Sequence, residues 1–312
     1  MRPPADYDLK MDKPWLGRRR MLELGAGLLG VTALASCTPA AKRTAPDPTE
    51  ETAGRPATLA SAEPSALTVA PRTGVEVTSG SFISDFRPGT ATEWSLAEPA
   101  PAGYAGQLPV AVFLHGTDSS NRFIFDVLGA QSVLQRHLVD GGPAFAIASV
   151  DGDDSWWHPR SDGTDTQSML LREFIPLLAS KGFDTGRLAL FGLSMGGFGT
   201  LLLASKGIVP GLRCVAAISP AVWSEYDAAA DGAFDSPQDF EANDVFALRP
   251  QLEDLPKRID CGTDDDLLAT VQSYISGLPG TAEGGFQPGG HEDTYWRMVL
   301  PDVVSFLGRN LA

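Results

Sequence analysis

Leu188-Ala189-Leu190-Phe191-Gly192-Leu193-Ser194-Met195-Gly196-Gly197-Phe198-Gly199 is the stretch on which the fold turns. A short apolar run, long enough for one buried strand, ends in Gly-x-Ser-x-Gly. The run Thr200-Leu201-Leu202-Leu203-Ala204 follows and reads as a buried helix. Strand, serine and helix in this order predict a nucleophile elbow, a turn so tight that the serine backbone is strained and its Oγ stands clear of the sheet. Gly192 and Gly196 omit Cβ atoms that would clash inside the turn. Gly197 and Gly199 are expected to let the helix pack close to the sheet. The helix N-terminus then offers N–H groups and the positive end of its dipole to negative charge developing beside Ser194. Ordinary glycine-rich turns also contain Gly-x-Ser-x-Gly, so the reading needs support from the rest of the chain.

The histidines supply it. An elbow of this type is followed in chain order by an acid and then a histidine. Of the four histidines, His115, His137, His158 and His291, only His291 follows Ser194. It closes the loop Pro288-Gly289-Gly290-His291 ahead of a helical pattern, a fitting place for a general base. The acid must lie between, at the end of a strand. Gly262-Thr263-Asp264-Asp265-Asp266-Leu267 offers three carboxylates there; spacing from Gly262 favours Asp265, with Asp264 second and Asp266 opening the next helix. Plain helix capping is the competing use of this cluster. Glu292 and Asp293 read as first-turn helix acids. An oxyanion hole needs two N–H donors; Met195 is expected to supply one and Thr117, in the loop after Leu114, the other. His115 reads as structural.

Outward from the elbow, buried apolar strands alternate with helical patterns. Val75-Glu76-Val77-Thr78 and Ala91-Thr92-Glu93-Trp94-Ser95-Leu96 alternate as two opening strands, expected to be antiparallel. Strands are predicted at residues 109–114, 144–150, 187–192, 214–219, 257–262 and, weakly, 285–287. Helices are predicted at residues 123–138, 167–180, 267–275 and 296–307. This order predicts a mostly parallel, doubly wound α/β sheet. Cys214 opens one strand and Cys261 ends its neighbour, roughly 15 Å apart at about 3.3 Å per residue, so both read as buried thiols rather than a disulfide. The loop Asp151-Gly152-Asp153-Asp154-Ser155-Trp156-Trp157-His158-Pro159-Arg160 leaves the strand beside the elbow strand. Trp156, Trp157 and His158 are therefore expected to wall the substrate pocket, with a lid packed on its own aromatics as the alternative. Residues 221–248 read as a polar insert that caps the site.

The N-terminus reads as an address. Gly17-Arg18-Arg19-Arg20-Met21-Leu22-Glu23 resembles a twin-arginine export signal, an apolar run follows, and Leu34-Ala35-Ser36-Cys37 matches the bacterial lipobox pattern. Residues 1–36 are expected to be a lipoprotein signal peptide, with Cys37 lipidated and the protein on the outer face of the cytoplasmic membrane; a conventional cleaved signal is the alternative. Residues 37–73, rich in Pro, Ala, Thr, Ser and Glu, read as a disordered tether, and residues 74–312 as the globular domain. The net charge of −15 argues against nucleic acid. Three cysteines among 312 residues make neither a disulfide framework nor a zinc ribbon. Nothing in the sequence marks an oligomeric state.

With Leu114-His115-Gly116, Gly192-Leu193-Ser194-Met195-Gly196-Gly197, Cys261-Gly262-x-x-Asp265-x-Leu267 and Gly290-His291 in this order, the chain resembles the putative esterase family of α/β-hydrolases from about residue 78 to 312. That family includes esterase D type enzymes, feruloyl esterases and actinobacterial mycolyltransferases. The resemblance implies an α/β-hydrolase fold, hydrolysis of small-molecule or lipid carboxylic esters, a Ser194, Asp265 and His291 triad, and Met195 and Thr117 as oxyanion donors. It implies no cofactor and no metal. The mycolyltransferase branch uses a glutamate acid and a long substrate helix, neither of which stands here. Acyl transfer through the same acyl-enzyme and a non-catalytic envelope-binding role remain as alternatives.

Overall fold

The computed structural model describes residues 74–99 and 107–312; the expected signal segment 1–36, the lipidation site Cys37 and the tether 37–73 lie outside the described residues. Two strands, β1 (Val75–Ile83) and β2 (Ala91–Pro99), open the domain and β3 (Pro109–Leu114) follows. Then come α1 (Phe123–Asp126), α2 (Ala130–Val139), β4 (Ala146–Val150), α3 (Thr166–Met169), α4 (Ile175–Ser180), β5 (Asp184–Leu193) and α5 (Met195–Ser205). The last third holds β6 (Leu212–Ile218), α6 (Pro237–Ala242), α7 (Val245–Leu248), β7 (Lys257–Gly262), α8 (Leu268–Ser276), β8 (Glu283–Gln287) and α9 (Asp293–Leu311).

The strands form one eight-stranded sheet in the order β1-β2-β4-β3-β5-β6-β7-β8. β1, β2 and β4 pair antiparallel, and every pairing from β4 through β8 is parallel. Period-two alternation along the central strands divides the core into two layers. Val110, Val112, Leu188 and Leu190 face one layer with α4, α5 and α8. Ala111, Phe113, Ala189 and Phe191 face the other with α2 and α9. A sheet apolar on both faces, covered by helices on both, is an α/β-hydrolase architecture of the doubly wound kind. β3 has β4 on one side and β5 on the other, so winding reverses there and opens a crevice beyond the carboxyl ends of β3 and β5.

Several expected elements differ in detail. The helix expected over residues 123–138 is two, because Gly129 takes a left-handed φ of 70° and starts α2 afresh. The helix expected over residues 167–180 passes through a π-turn, Leu170–Phe174, between α3 and α4. Pro176 lies just beyond that turn; it has no N–H to give the carbonyl four residues back, and the wider turn makes room for its ring. The insert is not uniformly polar: Val222, Trp223, Phe234, Phe240 and Val245 are buried against the layer that holds α5, which explains why all eleven residues of α5 are buried. Cys214 and Cys261 are both buried and free, and they face opposite layers. Among the described residues no helix is long and apolar enough to cross a membrane.

Candidate active site

The carboxyl ends of five parallel strands bring distant segments to one edge. Ser194 follows β5, the His115 loop follows β3, Trp156 and Trp157 follow β4, Ser219 follows β6 and Asp265 follows β7. Ser194 sits at φ 53°, ψ −120°, outside the regions an L-residue favours. Its backbone is held at both ends: its N–H donates to the Ile218 carbonyl, and its own carbonyl accepts from Phe198 and Ala221, each over 3.0 Å. A Cβ on Gly196 would fall on the Leu114 carbonyl, and one on Gly192 on that of Gly196, so neither position admits a side chain. Gly197 packs on Pro220 beyond β6, whereas Gly199 makes room for the Trp157 ring rather than for the sheet.

Ser194 Oγ lies 2.9 Å from His291 Nε2, and His291 Nδ1 lies 2.9 Å from Asp265 Oδ2. An ionised carboxylate only accepts, so Nδ1 carries the imidazole proton and Nε2 is free to accept from the serine hydroxyl. Asp265 Oδ1 accepts the Leu267 N–H over 2.9 Å, so this carboxylate also caps the turn into α8. Burial pushes the Asp265 carboxyl up; the hydrogen bond and charge of His291, with the Leu267 N–H and the Ser219 hydroxyl, outweigh it and hold the group below the ordinary carboxylate range. Asp264 and Asp266 are exposed. The Asp264 backbone N–H donates to the Gly289 carbonyl over 2.9 Å and stitches the β7 turn to the loop that carries His291. The ring of His291 stands edge-on to Trp296 at 5.1 Å and 89°.

Met195 opens α5, so its N–H has no partner within the helix. The Thr117 loop lies directly against the elbow: a Cβ on Gly116 would stand 2.9 Å from Leu193 Cδ1 and 3.4 Å from Ser194 Cβ. His115, fully buried, sets this loop. The Gly152 N–H donates to His115 Nε2 over 2.9 Å, so Nδ1 holds the proton and donates to the Gly116 carbonyl over 2.7 Å. In a trans peptide the Thr117 N–H points away from that carbonyl. The next N–H, of Asp118, donates to Asp154 Oδ1 over 2.9 Å. Burial lowers the pKa of His115, which keeps the ring neutral and in this tautomer.

Trp156, Trp157 and His158 do not wall an open pocket. They are 5%, 0% and 0% exposed. Asp153, Trp156 and Trp157 all take positive φ (45°, 60° and 60°), which turns the loop back on itself and the rings inward. Trp157 wedges between the loops and α5, its Nε1–H donating to the His115 carbonyl over 3.2 Å. Trp156 packs against Phe198 and Trp223. His158 stacks on Phe234, and its ring nitrogens lie 3.0 Å from the carbonyls of Pro159 and Ala233, clasping the insert to the loop. A recess of about 540 Å³ between α2 and α9, lined by Arg136, His137, Pro301 and Arg309, belongs to a different part of the surface.

Two side chains beside the site make contacts that the sequence reading did not foresee. The Trp296 Nε1–H donates to Ser219 Oγ over 3.2 Å, and Ser219, buried at the end of β6, has φ 44°. The available signal was thin: a serine–proline pair closing a strand, and a tryptophan five residues after His291.

A mostly parallel sheet with a strained serine, a histidine and a buried aspartate gathered at its carboxyl edge defines an α/β-hydrolase. The family model described as Putative esterase matches residues 97–307. The chain belongs to that family and is a serine hydrolase of the carboxylesterase class. No curated protein matches it. Among solved structures it is similar to a ferulic acid esterase, with 20% identity, TM-score 0.65, and coverage of 77% of this chain and 100% of the other. An S-formylglutathione hydrolase from Agrobacterium tumefaciens follows, with 16% identity, TM-score 0.64 and coverage of 77% and 97%. The substrate-bound fluorophosphonate-binding serine hydrolase F of Staphylococcus aureus has 19% identity, TM-score 0.61 and coverage of 75% and 98%.

Proposed function

We propose that the chain hydrolyses carboxylic esters through an acyl-enzyme on Ser194, with His291 as general base and acid and Asp265 as its orienting carboxylate. The observation that carries this reading is the pair of 2.9 Å contacts linking Ser194 Oγ, His291 and Asp265. As Oγ attacks the ester carbonyl carbon, its proton passes to His291 Nε2, and Asp265 stabilises the imidazolium. The tetrahedral oxyanion is met by the N–H groups of Met195 and Thr117; loss of one such donor costs about 10²–10³ in rate. His291 returns the proton to the departing alkoxide. Water then attacks the acyl carbonyl, giving its proton to His291 Nε2, which returns it to Ser194 Oγ as the acyl C–Oγ bond breaks; the carboxylic acid leaves and the free serine is restored.

Export and lipid anchoring are part of the same proposal. They rest on the arginines at Arg18, Arg19 and Arg20, the apolar run after them and the lipobox cysteine Cys37. Several acyl chains on and beside that cysteine hold such a protein to a membrane, where one binds only marginally. The ferulic acid esterase and S-formylglutathione hydrolase relatives point to small acyl and aryl-acyl esters as the first substrates to try.

The test is turnover of p-nitrophenyl esters from acetate to long-chain acyl by the chain and by Ser194→Ala, with a fluorophosphonate probe for Ser194. Parent turnover lost by about 10⁴-fold or more in the variant is the expected result. Labelling without turnover would move the reading to acyl transfer. Neither turnover nor labelling would leave a binding protein on a hydrolase scaffold.

A further inference from the structure

We infer that Asp154 is a positioning residue for the oxyanion hole, its carboxylate holding the Asp118 N–H and, through it, the Thr117 backbone whose own N–H meets the oxyanion. Thr117 has that task only in the ester-hydrolysis reading above, on which this inference rests. A peptide unit is planar, so its N–H is aimed by the dihedrals on either side of the plane. Upstream, the plane carrying the Thr117 N–H is fixed, because the Gly116 carbonyl takes the His115 Nδ1 proton over 2.7 Å. Downstream no helix or strand holds it, since residues 115–120 belong to neither. The hold there is the Asp118 N–H, which donates to Asp154 Oδ1 over 2.9 Å.

That hold has work to do. Asp118 takes φ 53°, a conformation uncommon outside glycine. Its easiest return to negative φ is to turn over the Thr117–Asp118 peptide, which would free the Thr117 backbone on its downstream side. An ionised carboxylate only accepts. The turned peptide would present its carbonyl oxygen to Asp154 instead of its N–H, so the carboxylate opposes the turn. The same bond spends the Asp118 N–H and leaves the neighbouring Thr117 N–H to face the site.

Asp154 is itself held in place. It follows Asp153, at φ 45°, whose carboxylate meets the Arg87 guanidinium over 2.5 Å. Arg87 is buried, and it also donates to the Asp151 carbonyl over 3.1 Å and to Thr92 Oγ1 over 2.9 Å, tying the loop after β4 to β2. From this base the loop after β4 grips the loop after β3 at three points. Its Gly152 N–H donates to His115 Nε2 over 2.9 Å, and Asp151 Oδ1 accepts the Asn121 N–H and Nδ2–H over 2.5 and 2.9 Å. The third grip, Asp154 on Asp118, is the one beside Thr117. Asp118 and Asp154 are both exposed, so their contact adds little to packing, and its effect falls on the aim of the loop.

The experiment compares the full chain with Asp154→Ala and Asp154→Asn. Alanine removes the acceptor; asparagine keeps an acceptor oxygen there and removes the charge. Acylation and deacylation both pass through an oxyanion, so a poorly aimed donor slows both, and kcat falls while KM stays. Loss of a whole donor costs about 10²–10³, so for a donor misaimed rather than removed kcat of Asp154→Ala is expected to fall about tenfold. A trifluoromethyl ketone reports the same hole without turnover: Ser194 Oγ bonds to its carbonyl carbon, the proton passes to His291 Nε2, and the carbonyl oxygen becomes the oxyanion. Its affinity should fall about tenfold in Asp154→Ala as well, because it resembles the transition state. Asp154→Asn should stay within about threefold of the parent in both readouts, since a neutral oxygen still accepts. Parent kcat and parent ketone affinity in Asp154→Ala would overturn the inference while leaving the triad standing. A loss in Asp154→Asn as deep as in Asp154→Ala would also overturn it, by assigning the effect to charge, and so would a loss confined to KM. A parent that neither turns over esters nor labels at Ser194 would bring down the ester-hydrolysis reading, and this inference with it.

Discussion

The strained backbone of Ser194, the proposed nucleophile, is a stability liability that a single exchange should expose. At φ 53°, ψ −120° the residue sits where only glycine is at ease. Such a conformation costs an L-residue about 1–3 kcal/mol. Ser194→Ala keeps the Cβ, and with it the strain; Ser194→Gly removes both. Each variant loses the same hydroxyl contact with His291, so their difference isolates the backbone. Against the relief stands the extra freedom of glycine in the unfolded chain, roughly 0.5–1 kcal/mol. The net gain is then about 1 kcal/mol for glycine over alanine, or about 2–4 °C in Tm for a domain of this size. Calorimetry or thermal denaturation of the two variants side by side measures it. Ser273, exposed in the interior of α8, is the control, since there glycine should be about 1 kcal/mol worse than alanine. Equal or lower stability of Ser194→Gly, with Ser273 behaving normally, would refute the assignment of strain to the elbow. Both Ser194 variants should be inactive, so the gain would come only with lost function.

Other measurements probe the shell around the site. His115 is fully buried, its Nε2 accepts the Gly152 N–H, and burial is the main cause that lowers it below the ordinary histidine value. Below pH about 6.5 the unfolded chain takes up a proton that this ring refuses, so its contribution to stability should fall between pH 7.5 and 5.5 by up to about 1.4 kcal/mol, as read by urea unfolding. His115→Gln should remove that contribution, and an unchanged slope in the variant would contradict the buried neutral ring. Asp265, held below the ordinary range, adds stability that persists above pH about 4 and is lost only under stronger acid. Cys214 and Cys261, pushed up to about 12 by burial, should resist thiol reagents until denaturant is added, as peptide mass spectrometry would show.

The elbow was legible because its chemistry is local. Two glycines, one serine and an apolar strand fall within a dozen residues, and each residue type has one reason to be there. The order of serine, acid and histidine was legible because only one histidine follows Ser194. The choice between Asp264 and Asp265 was harder, since both follow β7 within two residues of each other. What separates them is the turn into α8, which carries Asp265 inward, where it caps Leu267 and reaches His291, and leaves Asp264 exposed. Spacing alone ranks them; of the two, Asp265 is the one in contact with His291. The break at Gly129 had a signal in the glycine itself, and the π-turn had one in Pro176.

Trp156, Trp157 and His158 mark the limit of such reading. Aromatic residues in a loop above a nucleophile look the same in sequence whether they face a ligand or the core. Here consecutive positive φ angles at Trp156 and Trp157 send both rings inward, and no propensity of tryptophan foretells that conformation. The energy that holds it is non-local. It comes from the bare backbone of Gly152 and Gly199, which leave room for the Trp157 ring, and from the His115 carbonyl that takes its N–H. Gly199 is thus read correctly as a close-approach glycine and wrongly as a helix-to-sheet contact, because its partner lies 42 positions upstream. Ser219 follows the same logic: its left-handed backbone has meaning only beside Trp296, 77 positions away. Residues that perform chemistry announce themselves by type and order. Those that hold them in place are defined by what stands across the gap, and a linear sequence does not display that gap.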